Sequence, residues 1–227
     1  MADWHVNLIP FASDIYAYLI ESDDALAVVD PGEAAPIEAA IKALGKPLKQ
    51  IIITHHHGDH VGGVSALAKA HTVEIFGPAV SQDKLETSLG VKYAQGVKHG
   101  DRFDCLGTEL DCLATPGHTL DHMAYYSDGH DGLFSADCLF VLGCGRLFEG
   151  DAAMMWDSML KLRDLPDETV VFCGHEYTLA NLRFAQSLSP KRAALVTHGK
   201  KLKGMRDEGY PTIPSTIGDE IRFNPFM

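Results

Sequence analysis

Residues 49–60 read Lys49-Gln50-Ile51-Ile52-Ile53-Thr54-His55-His56-His57-Gly58-Asp59-His60. The β-branched run suits a buried strand. It stops at Thr54, and in α/β folds sites gather in the loops at strand ends. His55 and His57 are two residues apart, so in extended backbone their side chains point the same way and that of His56 points away. Asp59 and His60 follow as the chain turns toward a helix. Four potential ligands in six residues are dense enough for two adjacent metal ions. Neutral imidazoles beside a carboxylate suit zinc, iron or manganese. A tag would be terminal and would lack the HxHxDH spacing.

Upstream, residues 15–20 and 25–29 are short apolar runs separated by Glu21-Ser22-Asp23-Asp24, which predicts a strand pair. Asp30-Pro31-Gly32 breaks the second run. Ile37, Ile41 and Leu44 lie at helical spacing over 34–44, and Gly45 and Pro47 close that helix. Downstream, a helix is expected over about 61–70, a turn at 99–101, and strands over 109–114, 122–127 and 132–136. From 151 the pattern turns helical through Met155, Met159 and Leu162, with one more strand at 169–173. Leu179, Leu182, Ala185 and Leu188 form a helical stripe, a further helix runs to about 207, and 209–227 reads as irregular. The expected organisation is an α/β domain over 1–175 followed by a helical part over 176–227.

Three more candidates share the context of a strand end followed by a polar residue. They are His118 in Thr115-Pro116-Gly117-His118-Thr119, Asp137 in Phe134-Ser135-Ala136-Asp137, and His175 in Phe172-Cys173-Gly174-His175-Glu176. His5, His71, His99, His122, His130 and His198 lack that context and are expected to be surface or core histidines. Glu176 and His56 are candidates for supporting hydrogen bonds, and Cys138 reads as a packed small residue.

HHHGDH, TPGHT, the Asp137 segment and GHEYT resemble the metallo-β-lactamase superfamily. GCGRLFEG, CGHEYT and the closing PSTIGDEIRFNPF resemble glyoxalase II, the hydroxyacylglutathione hydrolases, over nearly the whole chain. The resemblance implies an αββα sandwich with a small C-terminal helical domain that helps form the substrate site. It implies two divalent metal ions, zinc before iron or manganese. His55, His57 and His118 would hold one, Asp59, His60 and His175 the other, and Asp137 would bridge them. A hydroxide shared by two metals exists at neutral pH and would attack a thioester carbonyl, with Asp59 orienting it by hydrogen bonding. Asp59 and Asp137 are therefore the expected catalytic residues. A thiolate leaving group, with a thiol pKa of about 8.5, needs little acid assistance. The implied reaction turns S-D-lactoylglutathione into D-lactate and glutathione. The alternative is a hydrolase of the same fold acting on another ester, a lactone or a β-lactam. A one-iron persulfide dioxygenase is argued against by the full second set of ligands.

Arg146, Phe148 and Tyr177 are the expected substrate contacts. In glyoxalase II a lysine and a tyrosine stand where this chain has Arg146 and Phe148. Arginine keeps the charge with a different donor geometry, and phenylalanine lacks the hydroxyl. Family members also continue past NPF with a tail carrying basic residues. Lys191, Arg192, Lys200, Lys201, Lys203 and Arg206 are the candidates to replace it.

The chain has 227 residues, 46% of them hydrophobic, enough for one large domain with a sizeable core. The net charge of −12 repels phosphate backbones and disfavours a nucleic-acid partner. No stretch approaches the roughly 18 apolar residues of a membrane span. The segment MADWHVNLIPF has no basic region followed by an apolar run, so a cytoplasmic protein is expected. Cys105, Cys112, Cys138, Cys144 and Cys173 are odd in number and irregular in spacing, which predicts reduced thiols. A monomer acting on a small molecule is the expected form.

Overall fold

In the computed structural model, which describes residues 4–227, the histidine-bearing strand lies inside a six-stranded mixed sheet. Its members, in spatial order, are β1 (His5–Phe11), β2 (Ile15–Glu21), β3 (Leu26–Val29), β4 (Leu48–Ile52), β5 (Glu74–Pro78) and β6 (Gln95–Val97). The pairings among β1, β2 and β3 are antiparallel, and β3 through β6 run parallel. A second sheet takes β7 (Arg102–Cys105), β8 (Thr108–Ala114), β9 (Met123–Ser127) and β10 (Gly132–Ala136) as an antiparallel meander. A hairpin of β11 (Leu139–Phe140) and β12 (Gly143–Cys144) follows. β13 (Val170–Cys173) then joins β10 in parallel, and β14 (Ser215–Thr216) completes the second sheet.

Alternating side chains of each strand divide between two cores. Tyr18, Ile20, Val29 and Ile52 of the first sheet meet Leu110, Tyr125 and Phe134 of the second in a shared inner core. Leu19, Val28, Ile51 and Ile53 face outward onto Ile37 and Ile41 of α1 (Ala34–Leu44), and the same core takes in Val61 of α2 (Gly58–Val61), Val64 and Leu67 of α3 (Val64–Ala70) and Leu85 of α4 (Gln82–Leu89). Ala124, Tyr126, Leu133 and Val171 face out onto α5 (Ala152–Arg163) through Met155, Met159 and Leu162, joined by Ile217 of α8 (Ile217–Phe223). Helices therefore cover both sheets, the expected αββα order. A strand buried on both faces has no polar side to alternate, which is why Ile51–Ile53 is uniformly apolar. Between α5 and α8 in sequence, α6 (Thr178–Leu188) and α7 (Ala193–Asp207) contribute Leu182, Ala185, Leu195 and Leu202 to the inner core.

The structure changes two expectations. The helix expected over 61–70 is two helices, broken at Gly62-Gly63. A Cβ on Gly62 would lie 2.6 Å from the Gly32 carbonyl oxygen, and one on Gly63 2.6 Å from that of Pro31. The Asp30-Pro31-Gly32 loop is thus pressed onto the histidine motif, an approach only glycine permits. The tail expected to be irregular contains β14 and α8. Thr216 caps α8 by accepting a hydrogen bond from the Asp219 amide at 3.2 Å, the role that hydroxyl residues fill at helix starts.

Candidate metal centre

The ends of β3, β4, β8, β10 and β13 converge at one rim of the sandwich. β4 runs into Thr54 and His55, and His57 stands at the N-terminal boundary of α2, which carries Asp59 and His60. His118 sits in the loop between β8 and β9, Asp137 just beyond β10, and His175 beyond β13. All seven expected ligands come together. One atom each of His55, His57 and His118 lies within 4.8 Å of the others, and the same holds for Asp59, His60 and His175. Asp137 stands between the two groups. Its Oδ2 is 3.3 Å from His118 Nε2 and 3.4 Å from His175 Nε2, and its Oδ1 is 3.4 Å from His60 Nε2.

The donor atoms fit a cation on three grounds. First, His55 Nε2 and His118 Nε2 approach His57 Nδ1 to 3.1 and 3.0 Å. The outer nitrogens of two of these rings are engaged elsewhere. His118 Nδ1 donates to the Arg146 carbonyl at 2.8 Å. His55 Nδ1 donates to Thr54 Oγ1 at 2.9 Å, because the Thr54 hydroxyl gives its own proton to Asp30 at 2.6 Å. Lone pairs therefore converge on one point, as ligand nitrogens must. Second, buried His60 Nε2 and Asp137 Oδ1, which face each other at 3.4 Å, have no hydrogen-bond partner among the described residues, a cost that buried polar atoms rarely carry without a ligand. Third, the charges agree. Burial holds His55, His57 and His118 below the usual imidazole range, so they stay neutral. Burial also opposes the proton on His60, but Asp137 and Asp30 outweigh it and hold that ring well above the usual range. A site whose negative charge draws a proton draws a divalent cation in its place. Burial likewise opposes the charge of Asp137, but His60 and a hydrogen bond from His175 hold it below the carboxylate range.

Two supporting residues are not evident from the motifs. Asp30, 2% exposed, receives the Thr54 amide at 2.8 Å on Oδ1, and the Thr54 hydroxyl and His60 Nδ1 (2.8 Å) on Oδ2. Donors fill both oxygens, so Asp30 orients the expected ligand His60, and His55 through Thr54, rather than offering a free oxygen of its own. Its only mark in the sequence is an acidic residue directly after an apolar strand, and Asp30-Pro31-Gly32 reads there as a turn. His122, expected to be a surface or core histidine, is buried. Its Nδ1 pairs with Thr115 Oγ1 at 2.8 Å, and its Nε2 accepts the Asp137 amide at 3.2 Å. Burial pushes it down to about 3, keeping it neutral for that task. His56 points away from the centre and pairs with Asp121 at 2.9 Å, as the two-residue spacing requires.

A cavity of about 560 Å³ opens over the centre, walled by Phe140, Arg146, Phe148 and Tyr177. The Tyr177 ring stacks on His175 at 4.6 Å, and Phe148 meets His57 and His118 edge-on at 5.5 and 5.3 Å. The Arg146 guanidinium lies 5.7 Å from the Phe148 ring. The six basic residues expected to replace a tail do not line this cavity. Lys203 is engaged by Asp207 at 2.5 Å, Arg206 lies 3.6 Å from Glu176, and Arg192 donates to the Arg222 carbonyl at 2.6 Å. Local pairing holds these three side chains on the helical part.

The family model described as the metallo-beta-lactamase superfamily matches residues 11–175, and that described as the hydroxyacylglutathione hydrolase C-terminus matches 176–227. The hydroxyacylglutathione hydrolase of Rhodopseudomonas palustris (strain BisB5) is 44% identical over 225 residues, covering 98% of this chain and 86% of that protein. This chain belongs to the hydroxyacylglutathione hydrolase family. The hydroxyacylglutathione hydrolase of Hahella chejuensis (strain KCTC 2396) is likewise 44% identical, over 96% of this chain and 84% of that protein. Among solved structures, the BLEG-1 B3 metallo-beta-lactamase superposes with a TM-score of 0.73 at 22% identity, covering 98% of this chain and 99% of that one. That likeness supports the sandwich fold of this hydroxyacylglutathione hydrolase family member. Family membership carries divalent metal binding with it, and the clustered histidines and aspartates are where the donors lie.

Proposed function

We propose that this protein hydrolyses a glutathione thioester, S-D-lactoylglutathione, to D-lactate and glutathione. The observation that carries the reading is the match of residues 176–227 to the hydroxyacylglutathione hydrolase C-terminus, since the metal-site half is common to a whole superfamily. In this reading His55, His57 and His118 would hold one divalent ion, Asp59, His60 and His175 would hold a second, and Asp137, which lies between the two groups, would serve both. Zinc suits nitrogen and carboxylate donors, and iron or manganese would be accepted by the same set. Such a pair supplies ionised water at neutral pH and a Lewis acid for the carbonyl. The chain's own residues do the rest. Asp59, exposed at the cavity mouth, accepts a hydrogen bond from the attacking water and so orients it. Arg146 supplies positive charge for the anionic glutathione moiety. Phe140, Phe148 and Tyr177 pack against its apolar surface and exclude water. The water oxygen adds to the thioester carbonyl carbon, and collapse of the resulting tetrahedral adduct breaks the carbon–sulfur bond, giving the carboxylic acid and a thiolate that leaves without a dedicated acid. A monomer working in the cytoplasm belongs to the same reading, and five unpaired cysteines suit a reducing compartment.

The test is hydrolysis of S-D-lactoylglutathione beside a β-lactam and a lactone, with metal measured on the same preparation. Efficient thioester cleavage with about two metal ions per chain is expected. Preferential cleavage of the β-lactam or lactone would refute the glutathione assignment.

A further inference from the structure

The hairpin of β11 and β12 is too short to hold itself. Two-residue strands contribute little ladder, yet Val141 and Leu142 at its tip are 2% and 1% exposed. Their backbone groups need partners, and side chains from the C-terminal segment provide them. Asn181 donates to the Val141 carbonyl at 2.9 Å, and Glu220 accepts the Leu142 amide at 2.8 Å. Asn224 Nδ2 reaches the carbonyls of both Phe140 (3.2 Å) and Gly143 (2.9 Å). The amide is itself fixed, because its Oδ1 accepts the Phe226 amide at 2.9 Å and its Nδ2 also lies 3.0 Å from Glu220. Leu142 has a φ of +60°, a left-handed conformation that a leucine keeps only when its surroundings impose it.

The other side of this hairpin is the cavity wall. The Phe140 ring lies edge-on to Tyr177 at 5.3 Å and to His175 at 5.9 Å. The chain leaving β12 is pinned where Gly145 donates to the Cys138 carbonyl at 3.0 Å, and it continues at once into Arg146. There is no slack at that point. A Cβ on Gly145 would lie 1.9 Å from the Asp137 carbonyl oxygen. A shift of the hairpin therefore reaches Phe140 and Arg146 directly.

We propose that Asn224 is a positioning residue, which holds Phe140 and Arg146 at the wall of the substrate cavity through the β11–β12 hairpin. Its effect on thioester turnover rests on the function proposed above, whereas its grip on the hairpin does not. Only a carboxamide serves, since it donates to two carbonyls while accepting from Phe226. Asn224→Asp keeps the shape and removes the donors, and Asn224→Ala serves if the aspartate variant does not fold. Leu202→Ala, a core truncation in α7, controls for general destabilisation. Hydrogen exchange of peptides spanning 138–148 is expected to quicken about tenfold in the Asn224 variants and not in the control. KM for S-D-lactoylglutathione is expected to rise by a similar factor, with kcat within about threefold. Unchanged exchange over 138–148 overturns the proposal whatever the substrate, and so does a control that raises KM equally. If the intact enzyme does not cleave the thioester while exchange quickens as stated, the glutathione reading falls and the grip on the hairpin stands.

Discussion

Asp30 acts on the candidate metal centre without lining the cavity. One carboxylate sets the proton on His60 directly and that on His55 through the Thr54 hydroxyl. Both rings thereby turn Nε2 toward the centre, where a cation would take the place of the proton that Asp137 draws to His60. A carboxamide at this position could not do this in either orientation. With nitrogen in place of Oδ2, the amide would face the Thr54 hydroxyl and His60 Nδ1 as a donor. With nitrogen in place of Oδ1, it would face the Thr54 N–H instead. Asp30→Asn is therefore expected to lower kcat/KM by about 10- to 100-fold and to reduce the metal bound per chain, as loss of a ligand-orienting partner does. Metal analysis and steady-state kinetics on one preparation check this, and a fully loaded, fully active variant would count against it. The proposed ligands are legible in the sequence because HxHxDH packs four donors into one strand end. Asp30 is not, because its role rests on a contact across 24 residues that no local spacing encodes.

At the scale of elements, the C-terminal helix α8 carries a buried acid. Glu220 is fully buried, and burial raises it to about 7 against hydrogen bonds from Ser215, the Leu142 amide and Asn224 that act to lower it. The ordinary value is 4.5. The folded chain thus holds this proton more tightly than the unfolded chain. The resulting stabilisation is complete below the ordinary value and is lost as pH rises through about 7. The full swing is about 3 kcal/mol. Glu220→Gln, which stays neutral and keeps an acceptor, is expected to lose less Tm than the parent between pH 5 and 8, by roughly 5–10 °C. Calorimetry across that range decides it, and parallel curves for the two proteins would contradict it. The sequence pattern hides this helix because Gly218 and Pro214 mask the Thr216 cap. Strongly periodic elements are readable, α1 over Ala34–Leu44 most plainly. The break at Gly62-Gly63 is not, because it answers to the neighbouring loop rather than to its own segment.

For the whole molecule, the proposed metal ligands are spread across both halves of the sandwich. His55, His57, Asp59 and His60 follow β4 of the first sheet, while His118, Asp137 and His175 follow strands of the second. An ion held by His55, His57 and His118 joins the two sheets at their common rim, and one held by Asp59, His60 and His175 does so again. Without metal, the nitrogens of neutral His55, His57 and His118 face one another across that junction with no cation to draw them together. Metal bound to the folded chain and not to the unfolded one stabilises by about 4 kcal/mol at a thousandfold excess over Kd. For a chain of this length that corresponds to a Tm difference of roughly 10 °C. Chelator treatment is expected to lower Tm by this order, and added zinc to restore it together with activity. Scanning calorimetry of treated and reloaded protein, with activity assayed on the same samples, measures both. A chelated protein that has verifiably lost its metal yet melts where the loaded protein does would mean that the sheets are held by their inner core alone. The seven residues would then be a site resting on the fold rather than a clasp between its halves.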